Sequence, residues 1–368
     1  MAVLFTESGT DATQDLVFFS STSGTVASAT DQARTGPRSI KFSLGNPATL
    51  AFVRVASVLA DAGRRVSFGY RFDGLPTSDG AGVFVAGTTT AEFFVGLNIN
   101  GTLVIKTGTT VLATGATVLS VNTWYRLCVS YYVTNSTTFA IRVYLDGVLE
   151  VSATTGTLGT TGQTTADFRA GANFGIGRTV WVDDVYIDDG ASSSSQPDTG
   201  DVRVTAKRPN ANGTTTDFST QVGSGGSGYG TGHAPQVNEQ PLNTTNGWSV
   251  VNAGSAVTEE YNVEALGTGD VDLSAAVLVD VLGWVYGKAL TAETGQIVVN
   301  GATSNIALTS TNTLFFKSSG ATAPAGTGTD IGLITDTTVT TVTLYECGLL
   351  LSYRLPTASG SLQLLGVQ

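Results

Sequence analysis

The sequence predicts an all-β protein built as two successive sandwiches, and three observations predict it. Charged residues make up only 13% of the chain, while glycine supplies 45 of its 368 residues. That is the composition of short strands and frequent turns, and not of long amphipathic helices. Asn-Gly and Asp-Gly pairs sit between runs of strand formers, the local mark of antiparallel hairpins. A seam of small residues, Ala191-Ser192-Ser193-Ser194-Ser195-Gln196-Pro197-Asp198-Thr199-Gly200, separates two β-rich parts.

In chain order, the first strand candidates are Ser39 to Leu44, Ala48 to Val55 and Arg65 to Phe72. Glu92 to Ile99 and Thr102 to Lys106 flank Asn100-Gly101, and Phe139 to Leu145 and Val148 to Ser152 flank Asp146-Gly147. Both dipeptides suit the positive φ angles of a type I′ turn. Thr123 to Tyr132 reads as a long strand, and Trp181 to Asp188 as a closing one. Together these make residues 1–190 a two-sheet sandwich. Residues 191–200 read as a linker that packs no core. Residues 201–368 then form a smaller β-sandwich from Asp201 to Lys207, Val277 to Lys288, Gln296 to Asn300, Asn305 to Thr309, Thr313 to Lys317 and Thr338 to Arg354. Asn300-Gly301 begins a further turn.

The closing strand, WVDDVYIDDG, raises the question of chemistry because four aspartates interrupt it. Regular alternation sends Trp181, Asp183, Val185 and Ile187 to one face and Val182, Asp184, Tyr186 and Asp188 to the other. Asp184 and Asp188 then stand roughly 13 Å apart at ~3.3 Å per residue, too far for the carboxylate pairs of glycosidases, which need about 5–9.5 Å. Asp188 and Asp189, at the strand end, are the candidate ligands of a structural calcium, although no complete calcium loop surrounds them. The alternative is that the aspartates bind arginines and loop amides. Glu260, Asn262 and Glu264 fail the same spacing test and read as a solvated strand face.

The single histidine, His233, follows the glycine loop 223–232 without a second metal ligand or a GxSxG elbow. The glycine loop resembles a phosphate-binding loop only in composition, lacking its lysine and its helix. No catalytic residue is assigned, and a non-enzymatic protein is expected. Trp124, Trp181 and Tyr186 are the candidate stacking platforms for a sugar, against the plainer reading that they fill the core.

The first 190 residues resemble the concanavalin A-like lectin/glucanase jelly roll, also called laminin G-like. The likeness is carried by Thr35-Gly36-Pro37-Arg38-Ser39-Ile40-Lys41-Phe42, Thr123-Trp124-Tyr125-Arg126-Leu127, Val143-Tyr144-Leu145-Asp146-Gly147 and Val182-Asp183-Asp184-Val185-Tyr186-Ile187. Further on come Gly200-Asp201-Val202-Arg203-Val204, Arg208-Pro209-Asn210-Ala211-Asn212-Gly213 and His233-Ala234-Pro235-Gln236-Val237-Asn238-Glu239. This succession resembles tailed-bacteriophage virion proteins in which a lectin-like jelly roll precedes a C-terminal β domain. The resemblance implies a structural component on the particle surface, at the tail, tail tip, fibre or head. It also implies closing-strand aspartates that serve the sandwich and a self-assembling chain, a trimer by analogy, that meets other virion proteins. The alternative from another class is an adhesin binding host-surface glycan; a polysaccharide-degrading enzyme is a third.

Charge narrows the partners. The chain carries a net −11, about −3 in residues 1–190 and −8 beyond, so no basic stripe is available for nucleic acid. The longest apolar run, Ala275 to Gly287, contains Asp280 and is too short for a membrane span. The N-terminal MAVLFTESGTDATQ lacks the pattern of a leader. Synthesis in the host cytoplasm is expected, with Cys128 and Cys347 as two buried thiols and no cofactor beyond the calcium considered above.

Overall fold

The computed structural model describes residues 3–7, 19, 21–35, 38–45, 50–56, 59–60, 63–87, 91–158, 164–207, 209–218, 220–222, 247–251, 254–263, 276–311, 313–320, 330–338 and 340–355. His233, Glu264 and the 223–232 loop lie outside them. The chain is all-β, with a jelly-roll sandwich followed by a smaller one; among the described residues the sole helical element is the single turn Ala172–Phe174.

Strands up to Asp188 form two facing antiparallel sheets. The eight-stranded sheet runs, edge to edge, Val148–Ala153, Thr138–Leu145, Tyr125–Asn135, Arg64–Phe72, Thr179–Asp188, Ser39–Ser43 and Thr25–Ala29, with Val3–Glu7 also paired to Thr179–Asp188. The seven-stranded sheet runs Thr110–Val118, Thr102–Thr107, Ala91–Leu97, Ala81–Gly87, Thr165–Ala170, Ala51–Val55 and Ser21–Ser23. Their inner faces interdigitate around Phe68, whose ring meets Phe84 at 6.1 Å and Phe168 edge-on at 5.1 Å. Strands from Asp201 onward form a six-stranded sheet centred on Val277–Ala289 and Thr341–Leu355, facing a five-stranded sheet around Glu293–Val299. Tyr261, Val281, Ile297, Leu333 and Leu351 fill the space between them.

Local turn chemistry explains the hairpins. Asp146 and Gly147 have φ of 48° and 94°, and Asn300 and Gly301 have 47° and 76°, the two left-handed residues of a type I′ turn. Asn100-Gly101 differs: only Gly101 is left-handed, at 84°. Asn100 instead accepts the Thr102 amide and hydroxyl on its side-chain oxygen, at 3.1 and 2.8 Å, so its side chain stabilises the turn in place of a second left-handed residue.

The linker is a correction. Residues 192–195 are exposed as expected, but Gln196 and Thr199 are buried. Arg126 grips Asp198 with both terminal nitrogens at 2.6 and 2.7 Å, and the Tyr144 hydroxyl donates to the Gln196 carbonyl at 2.7 Å. Small residues alone pack no core, but a carboxylate placed over a buried arginine pins the segment. Val204, Leu282, Trp284 and Leu350 of the second half belong to the same contiguous apolar cluster as the first half's core. Cys128 and Cys347 are both buried thiols, and burial pushes the Cys128 thiol up to about 12.

Candidate functional site

The closing strand departs from regular alternation at one residue. Val180, Val182, Val185 and Ile187 all enter the core, which strict alternation forbids. A register shift between Asp183 and Tyr186 and a left-handed Asp184, φ 51°, make the difference. This β-bulge inserts Asp184 as the extra residue and leaves four apolar side chains facing inward. The strand's partner changes at the same place, from Ser39–Ser43 on one side of the bulge to Val3–Glu7 on the other.

The bulge builds a clamp. Asp183 accepts the amides of Arg34 at 2.7 Å, Thr35 at 3.0 Å and Asp184 at 2.8 Å. Asp184 accepts the Arg34 guanidinium at 3.0 Å, the Thr35 hydroxyl at 2.9 Å and the Val204 amide at 2.9 Å. Arg34 also donates to Asp201 at 2.6 Å, and Arg203 grips Asp201 while donating to Thr35 Oγ1. Three segments singled out in the sequence, at Thr35, at Asp183-Asp184 and at Asp201 to Val204, therefore meet in one hydrogen-bonded knot between the two halves. Burial, together with the adjoining Asp184 charge, pushes the Asp183 pKa well above the ordinary carboxylate range, against the pull of three amides. At Asp201 burial is outweighed by Arg34 and Arg203, and the pKa falls.

The residues proposed for sugar and calcium do not form a site. Trp181 is 6% exposed, its indole donates to Asp31 at 3.1 Å, and Lys41 and Arg71 each sit 5.5 Å from its ring; the ring is already flanked by cations. Tyr186 is fully buried and Trp124 half-buried over Gly69. Asp188 is fully buried, and both its oxygens receive Arg65, at 2.7 Å each. A guanidinium occupies the position assigned to calcium, while Asp189 is exposed beside it. Among the described residues no group of three metal-ligating side chains is found. The acidic stretch alternates as a strand: Glu260 and Asn262 share the more exposed face, where Glu260 accepts the Thr215 amide, and Glu259 points inward and accepts the Phe218 amide.

A different charged surface lies on the outer face of the seven-stranded sheet. Phe84 and Phe168 point into the core, so Val85, Asp167 and Arg169 take the other face. Register places Arg54 opposite Asp167, Asp167 opposite Val85, Val85 opposite Phe94 and Phe94 opposite Lys106, in one row across five strands. Arg54 forks Asp167 at 2.6 and 2.8 Å, and Arg169 donates to the same carboxylate at 2.9 Å. Arg54 covers the Phe52 ring at 5.1 Å, and Lys106 covers the Phe94 ring at 5.4 Å. Sequence reasoning missed this group because its members are scattered from residue 52 to residue 169. The one available signal was the polar position recurring inside otherwise apolar strands.

No protein-family model matches the chain, and no curated protein matches it. Solved structures do. A fungal endo-β-1,4-glucuronan lyase from Trichoderma reesei aligns at 16% identity and TM-score 0.40, over 54% of this chain and 98% of the lyase. Domain 4 of an extracellular arabinanase from Geobacillus stearothermophilus aligns at 19% identity and TM-score 0.37, over 52% and 95%. A Trypanosoma rangeli sialidase aligns at 15% identity and TM-score 0.33, over 46% of this chain and 28% of its own length. The expectation of a non-enzyme is corrected here, because these neighbours are a lyase, a sialidase and part of an arabinanase; that expectation is not carried forward.

Proposed function

We propose that the chain is a surface component of a tailed-bacteriophage particle whose first sandwich contacts host glycan and whose second sandwich supplies attachment and self-association. The observation that carries this reading is the clamp. Three of the segments behind the resemblance, at Thr35, at Asp183-Asp184 and at Asp201 to Val204, are separated by up to 167 residues of sequence, as between Arg34 beside the first and Asp201, yet they interlock as one unit. Their succession is therefore a single architectural feature and not three independent likenesses. The seven-stranded face, with cations and aromatics side by side, supports the glycan-contacting role of the first half.

Immunogold labelling and mass spectrometry of purified particles test the assignment. The chain is expected on intact particles at a stoichiometry set by their symmetry, and the isolated chain is expected to coat host cells. Its absence from particles, with no binding to cells, overturns the reading. Sedimentation across a wide concentration range tests the oligomer, with a trimer expected; a persistent monomer removes self-association.

A further inference from the structure

From the row on the seven-stranded sheet we infer the ligand class: this face binds an acidic glycan, seating sugar carboxylates on Arg54, Arg169 and Lys106, with a sugar ring against the edge of Phe94 that Lys106 leaves free. The inference rests on the glycan-contacting reading above and makes it specific.

The argument begins with charge. In a chain of net −11, the described side chains of this row carry three cations and one carboxylate: Arg54 and Arg169 on Asp167, and Lys106 three strands away over Phe94. Several arginines elsewhere are matched by carboxylates of their own, although Arg71 and Arg354, like Arg169, each keep a buried Nε without a hydrogen-bond partner. Arg65 has Asp188, Arg126 has Asp198, and Arg34 and Arg203 have Asp184 and Asp201. Here Arg54 and Arg169 share one acceptor, and Lys106 makes no ion pair among the described residues. Arg169 Nε is buried and has no hydrogen-bond partner. An unmatched buried donor carries a desolvation cost that an incoming anion removes.

Shape agrees with charge. Arg54 to Lys106 spans four strand spacings, roughly 19 Å at about 4.8 Å per strand, so the row suits an extended chain of sugars and not one ring. Gly82 faces the same side; a Cβ there would stand 3.0 Å from Arg169 Cδ, so its bare backbone lets the arginine lie along the sheet. The aromatic rings are half-buried and already polarised by cations, which leaves an apolar edge for a pyranose beside donors for its carboxylate. Guanidinium favours the planar, two-oxygen carboxylate through its fork. A phosphate backbone demands a denser basic stripe than three cations beside an aspartate.

The test uses the full chain and four probes: sodium polygalacturonate, the same polymer with its carboxyl groups reduced to alcohols, a neutral β-glucan and single-stranded DNA. Binding is read by biolayer interferometry at two salt concentrations. Polygalacturonate is expected to bind, to weaken with salt and to lose about tenfold or more in affinity on carboxyl reduction. Lys106→Gln and Arg54→Gln are expected to weaken it by a further several-fold, with circular dichroism unchanged and the melting temperature within a few degrees of the parent. Equal binding of reduced polymer, or preference for the neutral glucan, overturns the acidic class and leaves glycan contact standing. Binding indifferent to both substitutions removes the site from this face. Preference for DNA overturns the carboxylate assignment, and failure to bind any polysaccharide overturns both the inference and the glycan reading beneath it.

Discussion

Two regions of the first sandwich use the same two residue types to opposite ends. At the closing-strand bulge, Arg34 and Arg203 face Asp183, Asp184 and Asp201, and each carboxylate is met by amides, hydroxyls or guanidinium groups of the chain itself. On the seven-stranded face, Arg54 and Arg169 share Asp167 alone, Lys106 makes no ion pair among the described residues, and a guanidinium nitrogen is left without an acceptor. The first arrangement is closed and joins two halves of the chain around the buried Asp183 and Asp184. The second has donors in excess and lies on an outer sheet face. The lesson is that arginine and aspartate counts say little. The balance of donors against acceptors distinguishes a structural knot from a recognition surface.

The sharpest way to break the comparison is to open the clamp. Asp184→Ala removes one of the two carboxylates that hold Arg34, whose side chain is 9% exposed, and the acceptor of the Thr35 hydroxyl and the Val204 amide. A loss of about 1–3 kcal/mol is expected from chemical denaturation, the cost of leaving buried donors unsatisfied while Asp201 keeps Arg34 paired. Asp184→Asn keeps an acceptor and tolerates the left-handed backbone, so it should lose roughly half as much. Equal losses would mean that the bulge geometry, and not the charge, holds the halves together.

A second effect is a pH dependence in the second sandwich, of the same sign as that of the raised Asp183 in the bulge. Glu293 points into the second sandwich at 7% exposure with neither oxygen hydrogen-bonded, and burial, aided by the Asp336 charge, raises it from 4.5 to about 7. A raised folded-state pKa means that the native state holds the proton more tightly. The resulting stability is whole below about pH 4.5 and is lost as pH rises through about 7, on the order of 2 kcal/mol. Denaturation midpoints across that window should fall, and Glu293→Gln should flatten the curve. A slope that survives the substitution assigns the titration elsewhere.

The linker gives a third effect. At Asp198 burial opposes ionisation, but the Arg126 fork outweighs it and holds the carboxyl below its usual range. Arg126→Gln should free residues 196–199 at a cost of about 1–3 kcal/mol and speed proteolysis between 192 and 199 severalfold. Wild-type cleavage should be confined to the exposed 192–195 turn. Cleavage at an unchanged rate in the variant would show that the buried Gln196 and Thr199, and not the ion pair, pin the segment.

How much of this was legible beforehand follows from range. Strands and all three hairpin turns were readable because alternation and Asp-Gly or Asn-Gly chemistry are local; only the turn type at Asn100-Gly101 differed. The bulge was readable too: Val180, Val182, Val185 and Ile187 are spaced two, three and two, and the odd interval requires an inserted residue if all four are buried. Assuming strict alternation hid it and put Asp183 on the same face as Val185. Trp181 and Tyr186 looked like platforms because sequence shows aromatic character and not what packs over it. The Arg54, Asp167 and Arg169 group was illegible, since Asp167 lies 113 residues from Arg54 and only sheet register brings them together.

The smallest stability effect draws the line between the two regions most finely. Lys106 belongs to the recognition surface and has no ion-pair partner among the described residues, only the Phe94 ring beneath it. Lys106→Gln should therefore leave unfolding free energy within about 0.5 kcal/mol of the parent, as for a surface substitution that breaks no buried pair. Arg54→Gln loses a partly exposed pair with Asp167 and should cost about 0.2–1 kcal/mol, because Arg169 remains to hold the carboxylate. A loss above about 2 kcal/mol at either position would place this face among the closed knots and erase the distinction from the bulge. Near-neutral stability, with the acid-glycan binding of the same variants reduced, would show that the surplus donors act on a ligand and not on the fold.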